Sequence, residues 1–387
     1  MRRVYFGADN IITSLGFTTG ENAGQVWKGQ TGIVKVMDDR LYPGPIAFSG
    51  IDDDLLDEKV REFIGESVFF DSYTRLEKIF IVSILNVLIG NSIDPSDPGT
   101  IFVFSTTKGN IDLLENHRKS LFEPEKIHLW RMAEVITQFF GNPNKPYIIS
   151  NACISGSAAI MAASRLIASG RYDHAVVTGG DIISEFVVSG FQSFQALSPE
   201  PCKPFDVNRD GLSLGEGCGT VILTADAHNI IHHHPVEYLG GAITNDANHI
   251  SGPSRDGQGL YLAITAAMKE AGVSSEDIDF ISAHGTATPY NDEMESLALN
   301  RAGLSHVPVN SFKGYIGHTL GAAGVIETIL SAFSMRNEIL FKSAGYEENG
   351  VSMPLNIIRD NINKPVRRIL KTASGFGGCN AAIVIGK

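Results

Sequence analysis

The stretch that most constrains this chain runs from Tyr147 to Gly170, YIISNACISGSAAIMAASRLIASG. It opens with a short apolar strand, Tyr147–Ile149, and Cys153 follows in a turn of small residues. The next run is rich in Ala and Ser, with Ala158, Ala159, Ala162 and Ala163, and predicts a tightly packed helix. A cysteine at such a strand-to-helix turn meets unbonded backbone N–H groups and the positive end of the helix dipole. That setting is expected to lower the thiol pKa and make Cys153 a nucleophile. A small buried core cysteine is the competing reading of this stretch alone.

The rest of the chain alternates in the same style. Strands are expected at TIFVFSTT (100–107), HAVVTGGDII (174–183) and CGTVILTA (218–225), and a further strand in PVEYLGGAITNDA. Helices are expected at Glu21–Lys28, Leu55–Phe63, Asp71–Gly90, Leu113–Phe122, His128–Phe140 and Leu260–Ala271. Residues 277–302 and 307–337 each read as strand, turn, helix, and the chain closes as two strands around a glycine turn. The two parts rhyme. Each has a strand, a functional turn and a small-residue helix, at Cys153 and at His318, and each later has an apolar strand entering a glycine-rich turn, at Gly179 and at Gly375. This pattern predicts a duplicated, layered α/β fold with an N-terminal half at 1–235 and a C-terminal half at 236–387.

Composition narrows the functional classes. A net charge of −12 over 387 residues argues against a nucleic-acid binder, which needs a basic face. The longest apolar run, IFIVSILNVLIG (79–90), is too short to span a bilayer. The start MRRVYFGADN has no apolar core of a signal peptide. The four cysteines are scattered and fit a reducing compartment, so a cytoplasmic protein with no membrane partner is expected. His232, His233 and His234 are adjacent and cannot all face one ion, so they read as a solvated connector.

Two further histidines stand in glycine-rich turns after strands, His284 in SAHGTAT and His318 in KGYIGHTLGAAG. Loops at strand ends are where α/β folds place chemistry. Two histidines in matching turns, with a cysteine in a third, favour catalysis over three unrelated loop residues. Asp292 and Glu295 lie three apart on one helix face and read either as a surface acidic pair or, for Glu295, as buried structure. Asp206, Arg209 and Glu216 are expected to hold their loop and not to touch substrate.

Five segments carry a resemblance: SNACISGSAAI, CKPFDVNRDGLSLGEGCGTVIL, AHGTATPYNDEME, VNSFKGYIGHTLGAAG and GFGGCNAAIVI. In that order they resemble the signatures of β-ketoacyl-[acyl-carrier-protein] synthases of the I/II type, strongest from residue 150 onward. The resemblance implies a thiolase-like fold and a decarboxylating Claisen condensation on carrier-protein thioesters. It implies that Cys153 accepts the acyl group, that His284 and His318 drive decarboxylation and stabilise the enolate, and that Lys313 supports them. Glu295 would be a buried carboxylate, in some relatives beside a structural monovalent cation. Phe376 would be the gating aromatic, its N–H pairing with that of Cys153 as an oxyanion hole, and Thr286 and Thr288 would bond the phosphopantetheine arm. No redox cofactor is implied. The implied partners are acyl carrier protein and a second copy of the chain, or a heterodimeric partner subunit. Substrate chain length would be set around 104–110 and 154–194. The GYIGH motif that supplies His318 argues against a thiolase and against an initiating synthase with a coenzyme A primer, and simple thioester hydrolysis leaves the second histidine and the lysine without a task. Two departures stand out. Gly314 replaces the small hydroxyl residue usual after the lysine, and REFIGESVFF (61–70) is poor in bases where relatives dock the acidic carrier, leaving Lys59, Arg61, Arg118 and Lys119 as candidates.

Overall fold

The computed structural model describes residues 2–65, 72–118, 121–249 and 252–387, and ten of the eleven strands in its main sheet, all but the short edge strand Asn356–Ile357, fall into two sets. Five belong to the first half: β1 (Tyr5–Ile12), β2 (Thr100–Ser105), β3 (Tyr147–Ile149), β4 (His174–Asp181) and β5 (Gly217–Thr224). Five belong to the second: β6 (Glu237–Asn245), β7 (Phe280–Ser282), β8 (Pro308–Asn310), β9 (Arg368–Gly375) and β10 (Cys379–Gly386). The first half orders them β3-β2-β4-β5-β1, and the second β8-β7-β9-β10-β6. Counted within each half, the two orders are the same. The senses match as well: β2 is parallel to β3 and β4, and β5 antiparallel to β4 and β1. In the second half β7 is parallel to β8 and β9, and β10 antiparallel to β9 and β6. The half-sheets join at their β1 and β6 edges, through the pairing of Tyr5 with Glu237.

The strands are apolar on both faces, as in the fully buried run Ile101–Phe104, because helices cover both sides. The outer helix Arg75–Leu88 starts at a capping box: Thr74 Oγ1 accepts from Glu77 N, and Glu77 accepts from Thr74 N at 2.9 Å. It packs on β1, β4 and β5, whereas the helix Gln258–Ala271 packs on β6, β9 and β10. Between the half-sheets lie the helices Ser155–Ala168 and Ala323–Asn337, each touching strands of both halves. The result is a layered αβαβα arrangement, in keeping with the layered α/β fold that the pattern predicts and the thiolase-like fold that the resemblance implies.

Small residues set the distance between the two central helices. Gly156 and Gly324 are each the second residue of their helix. A Cβ on Gly156 would stand 2.7 Å from Val325 N, and one on Gly324 would overlap Ser157 N. The backbones therefore touch, and the strand ends reach the same seam. β9 ends at Gly375, where a Cβ would stand 3.0 Å from Cys153 N. β4 ends at Asp181, whose Oδ2 accepts the N–H of Gly321 at 2.7 Å and whose oxygens also take Thr106 Oγ1 and Thr107 N. Cys153 and Gly321 hold the same place, three residues before Gly156 and Gly324.

Several expectations need correction. Of the helix expected at Leu113–Phe122, residues 119–120 lie outside the described residues and the described remainder is not α-helical. Only a short 3₁₀ turn, Ile111–Leu114, forms, because Asp112 pairs with Arg118 at 3.3 Å and Glu115 accepts the N–H of Glu185. The long apolar helix spans Arg75–Leu88, and Asp71 lies outside the described residues. His232 is no solvated connector: its Nε2 lies 3.3 Å from buried Asp9, while His233 and His234 are exposed. A small sheet of Val34–Met37, Pro45–Ser49 and Leu214–Gly215 went unforeseen, its pieces being too short to show a period.

Candidate active site

Cys153 leaves β3 through a turn that two features hold. Ala152 adopts φ +44, a left-handed conformation that costs a non-glycine residue about 1–2 kcal/mol and persists only where its surroundings fix it. Ser155 fixes it here: its Oγ accepts from Asn151 N at 2.8 Å and donates to Ala152 O at 2.6 Å. Ile154 is then the N-cap of the central helix, and the thiol faces a cavity of about 420 Å³.

His284, His318, Thr286, Thr288 and Phe376 line the same cavity. The rings of His284 and His318 meet edge to face, centroids 5.3 Å apart and planes at 83°. Phe376 closes one side against Phe191 and Phe194, at 5.3 and 4.9 Å between centroids. Thr286 and Thr288 share a hydroxyl contact of 2.8 Å. Asp210, Tyr290 and Asn291 also line the wall, none of them singled out from the sequence.

Lys313 and Glu295 do not line the cavity. They lie behind it, both fully buried. Glu295 carries the His284 turn: Oε1 accepts His284 N at 2.8 Å and Thr372 Oγ1 at 2.6 Å, and Oε2 accepts Gly285 N at 2.8 Å. Asp292 is buried too, taking Phe205 N, Thr286 N and Ala287 N, so a surface acidic pair is ruled out. Asp206, Arg209 and Glu216 bond backbone groups of their own and neighbouring loops.

Lys313 Nζ donates to His284 O at 2.5 Å and to Glu327 Oε1 at 2.7 Å, and stands 3.4 Å from His284 Nδ1. An ammonium has no lone pair, so Nδ1 must be the acceptor and the ring proton sits on Nε2. Burial holds both histidines well below the ordinary imidazole range, with Lys313 the next cause for each. Nδ1 of His318 has no hydrogen-bond partner among the described residues, so nothing there favours a charged ring. The site thus offers two neutral imidazoles beside a thiol.

The thiol itself differs from expectation. Burial pushes Cys153 up to about 12, nearby Cys379 adds to the rise, and Lys313 offsets only part of it. Desolvation outweighs the helix end. Cys153 is therefore a protonated thiol at neutral pH and must pass its proton on as it attacks. Its alkylation by iodoacetamide is expected to be slow at pH 8 and to keep rising through pH 10; a plateau below pH 8.5 would show a thiolate already present at rest.

Glu327 and Lys371 escaped the sequence reading. Each is a lone charge in an apolar or small-residue run, VIETIL and ILKTAS, and that isolation was the available signal. Both are buried, and Lys371 Nζ lies 2.6 Å from Glu327 Oε2. The contact is off the bonding direction, an ion pair more than a directed hydrogen bond. Lys371 Nζ also faces the carbonyl oxygens of Thr372 at 2.5 Å, Ser282 at 3.4 Å and Ala283 at 3.5 Å. These residues do not fit a bound monovalent cation near Glu295, because N–H and O–H donors take the Glu295 oxygens and an ammonium takes the neighbouring carbonyls.

Two family models match the chain. The N-terminal domain of β-ketoacyl synthases matches residues 87–229, and the C-terminal domain matches residues 236–347. The 3-oxoacyl-[acyl-carrier-protein] synthase 2 of Vibrio cholerae is 32% identical over 303 residues, covering 71% of this chain and 73% of that one. The chain belongs to the β-ketoacyl synthase family. A second relative, the 3-oxoacyl-[acyl-carrier-protein] synthase 2 of Rhizobium meliloti, is 36% identical over 251 residues, which cover 61% of this chain and 59% of that protein. Among solved structures, a ketosynthase in complex with its chain length factor from Xenorhabdus doucetiae superposes with a TM-score of 0.87 at 25% identity, over 100% of this chain and 98% of that one.

In this chain the Gly314 departure has a steric reason: a Cβ there would stand 2.5 Å from Ala344 O. Of the docking candidates, Lys59 already pairs with Glu62 at 2.6 Å and Arg118 with Asp112, Arg61 is exposed, and Lys119 lies outside the described residues.

Proposed function

We propose that this chain catalyses the decarboxylating condensation of an acyl-Cys153 thioester with a malonyl thioester, giving a β-ketoacyl thioester. The observation that carries the reading is the single cavity shared by Cys153, His284 and His318, with both rings held neutral. Acyl transfer comes first: the thiol loses its proton to a neutral imidazole, sulfur attacks the incoming thioester carbonyl, and the tetrahedral intermediate collapses by breaking the old C–S bond, its departing thiolate taking the proton back so that both rings are neutral again. The oxyanion of that step lies between the N–H groups of Cys153 and Phe376, where Gly375 leaves room for a close approach. Malonyl thioester then enters and loses carbon dioxide. The electron pair left behind collects on the thioester oxygen, which His284 and His318 bond through N–H. The resulting carbanion attacks acyl-Cys153, expelling the thiolate and releasing product. Lys313 and Glu295 position His284 from behind, and Phe376 shapes the acyl entrance.

The relatives' names include acyl carrier protein, and we take carrier-bound thioesters as the substrates, with Thr286 and Thr288 bonding the phosphopantetheine arm. Fatty acid and polyketide synthesis are both open to this chemistry. The two halves divide near residue 235, within the connector between the two family matches. Among the described residues β3 ends the sheet with an edge that pairs with no further strand, which suits pairing with a second subunit. We read that subunit as another copy. A distinct chain length factor is the second reading, favoured by the solved ketosynthase pair, though the retained Cys153 then makes this chain the catalytic member. The described residues contain no helix long and apolar enough to cross a membrane, and four free cysteines suit a cytoplasmic setting.

The test is condensation of malonyl carrier protein with a panel of acyl carrier primers. Wild type is expected to form β-ketoacyl product and Cys153→Ala none. Acylation of Cys153 without any use of malonyl carrier would sink the reading for the isolated chain and point to a missing partner or a hydrolase.

A further inference from the structure

Two lysines share one buried glutamate behind the cavity. Lys313 takes Glu327 Oε1 and the carbonyl of His284, and Lys371 takes Glu327 Oε2. All three side chains are at most 1% exposed. A lone buried lysine is rare, and two on one carboxylate leave an excess positive charge that needs further oxygen. Lys371 finds it in the carbonyls of Ser282, Ala283 and Thr372. One carboxylate and three carbonyl oxygens around a single compact charge form the donor set that a hard monovalent cation takes. Ser282 and Ala283 lead straight into the His284 turn, so this cage fixes the strand end that aims the histidine.

We propose that the Lys371 ammonium is a tethered cation that fills this oxygen cage and so replaces a dissociable potassium or sodium ion in positioning the His284 turn. Being covalent, it is never lost at low salt. Lys371 touches neither the cavity nor the reacting atoms, so it is a positioning residue, acting through Glu327, Lys313 and the turn. Burial draws its own pKa down, and it is also among the groups that keep His318 neutral.

The experiment compares wild type, Lys371→Ala and Lys371→Met in choline, potassium and ammonium chloride at equal ionic strength. It reads the thermal midpoint, which needs no assumption about activity, and malonyl thioester decarboxylation, which rests on the proposed function. Wild type is expected to show the same midpoint in all three salts. Lys371→Ala is expected to melt lower in choline, lose roughly 10- to 100-fold in decarboxylation, and recover both in potassium or ammonium. Lys371→Met, whose chain fills the cage without charge, is expected to stay low in every salt. A potassium-specific rise in the wild-type midpoint overturns the proposal, as does a Lys371→Ala variant that matches wild type in choline or responds equally to choline and potassium. Should neither variant fold in any salt, the wild-type comparison alone decides. If midpoints behave as expected while no protein decarboxylates malonyl thioester, the tethered cation stands and the condensing function fails.

Discussion

Replacing His318 with alanine is expected to slow malonyl thioester decarboxylation by about 10²–10³, the usual loss when one preorganised oxyanion donor is removed from a dry site. The ring lies within contact of His284 and lines the cavity, so its N–H meets the charge that develops as carbon dioxide leaves. Acylation of Cys153 should fall less if another base takes the thiol proton, and intact-mass labelling separates the two steps. The pH dependence gives a sharper check. Both imidazoles are held well below their ordinary 6.5, so the rate should show no loss as pH falls through 6.5. Stability should behave in the opposite way. Below pH 6.5 the unfolded chain binds protons that the folded rings refuse. The contribution of each histidine is thus full above 6.5 and falls by about 1.4 kcal/mol per pH unit below it. A rate that titrates near 6.5 while the fold is intact would mean that a ring is charged at rest, and the enolate-binding scheme would need revision.

Gly324→Val is expected to prevent folding or to cost well over 3 kcal/mol, beyond ordinary overpacking. A Cβ at Gly324 falls on the backbone of Ser157, and one at Gly156 reaches Val325 N. Neither obstacle is a side-chain tip that could rotate away. Separating the two helices would also shift the Cys153 turn against β9, where a Cβ on Gly375 has only 3.0 Å to Cys153 N. Gly324→Ala should therefore lower the urea midpoint clearly, and any protein that folds should lose acylation of Cys153 more than an equally destabilised variant altered in the outer helix Gln258–Ala271. A Gly324→Ala protein with wild-type midpoint would refute backbone contact as the rule at this seam.

Much of this was legible beforehand. Strands such as β2 and β4 announce themselves as β-branched and aromatic runs, and the turns at Cys153, His284 and His318 stand out because functional side chains there break a small-residue pattern. The resemblance implied roles for eight residues, and the cavity gathers six of them. What stayed hidden depends on contacts between segments distant in sequence. Nothing local says that Glu327 will face two lysines, or that Asp112 and Glu115 will be drawn off a helix by Arg118 and the amide of Glu185. Spacing suggested a helix end acting on Cys153, but burial, a property of the whole fold, decides the thiol in the other direction.

One consequence lies in the seam where β4 and β9 end. The two junctions are equivalent by strand order, yet only one is open. At Gly375 the absent side chain leaves the cavity wall open beside Cys153. At Asp181 a carboxylate oxygen lies against Gly321 N–H instead, permanently, as a built-in stand-in for a bound anion. A symmetric pair of identical halves would have had to keep both pockets or neither. Joining the halves in one chain allowed the two junctions to differ, Asp181 facing Gly321 at one and Gly375 facing Cys153 at the other.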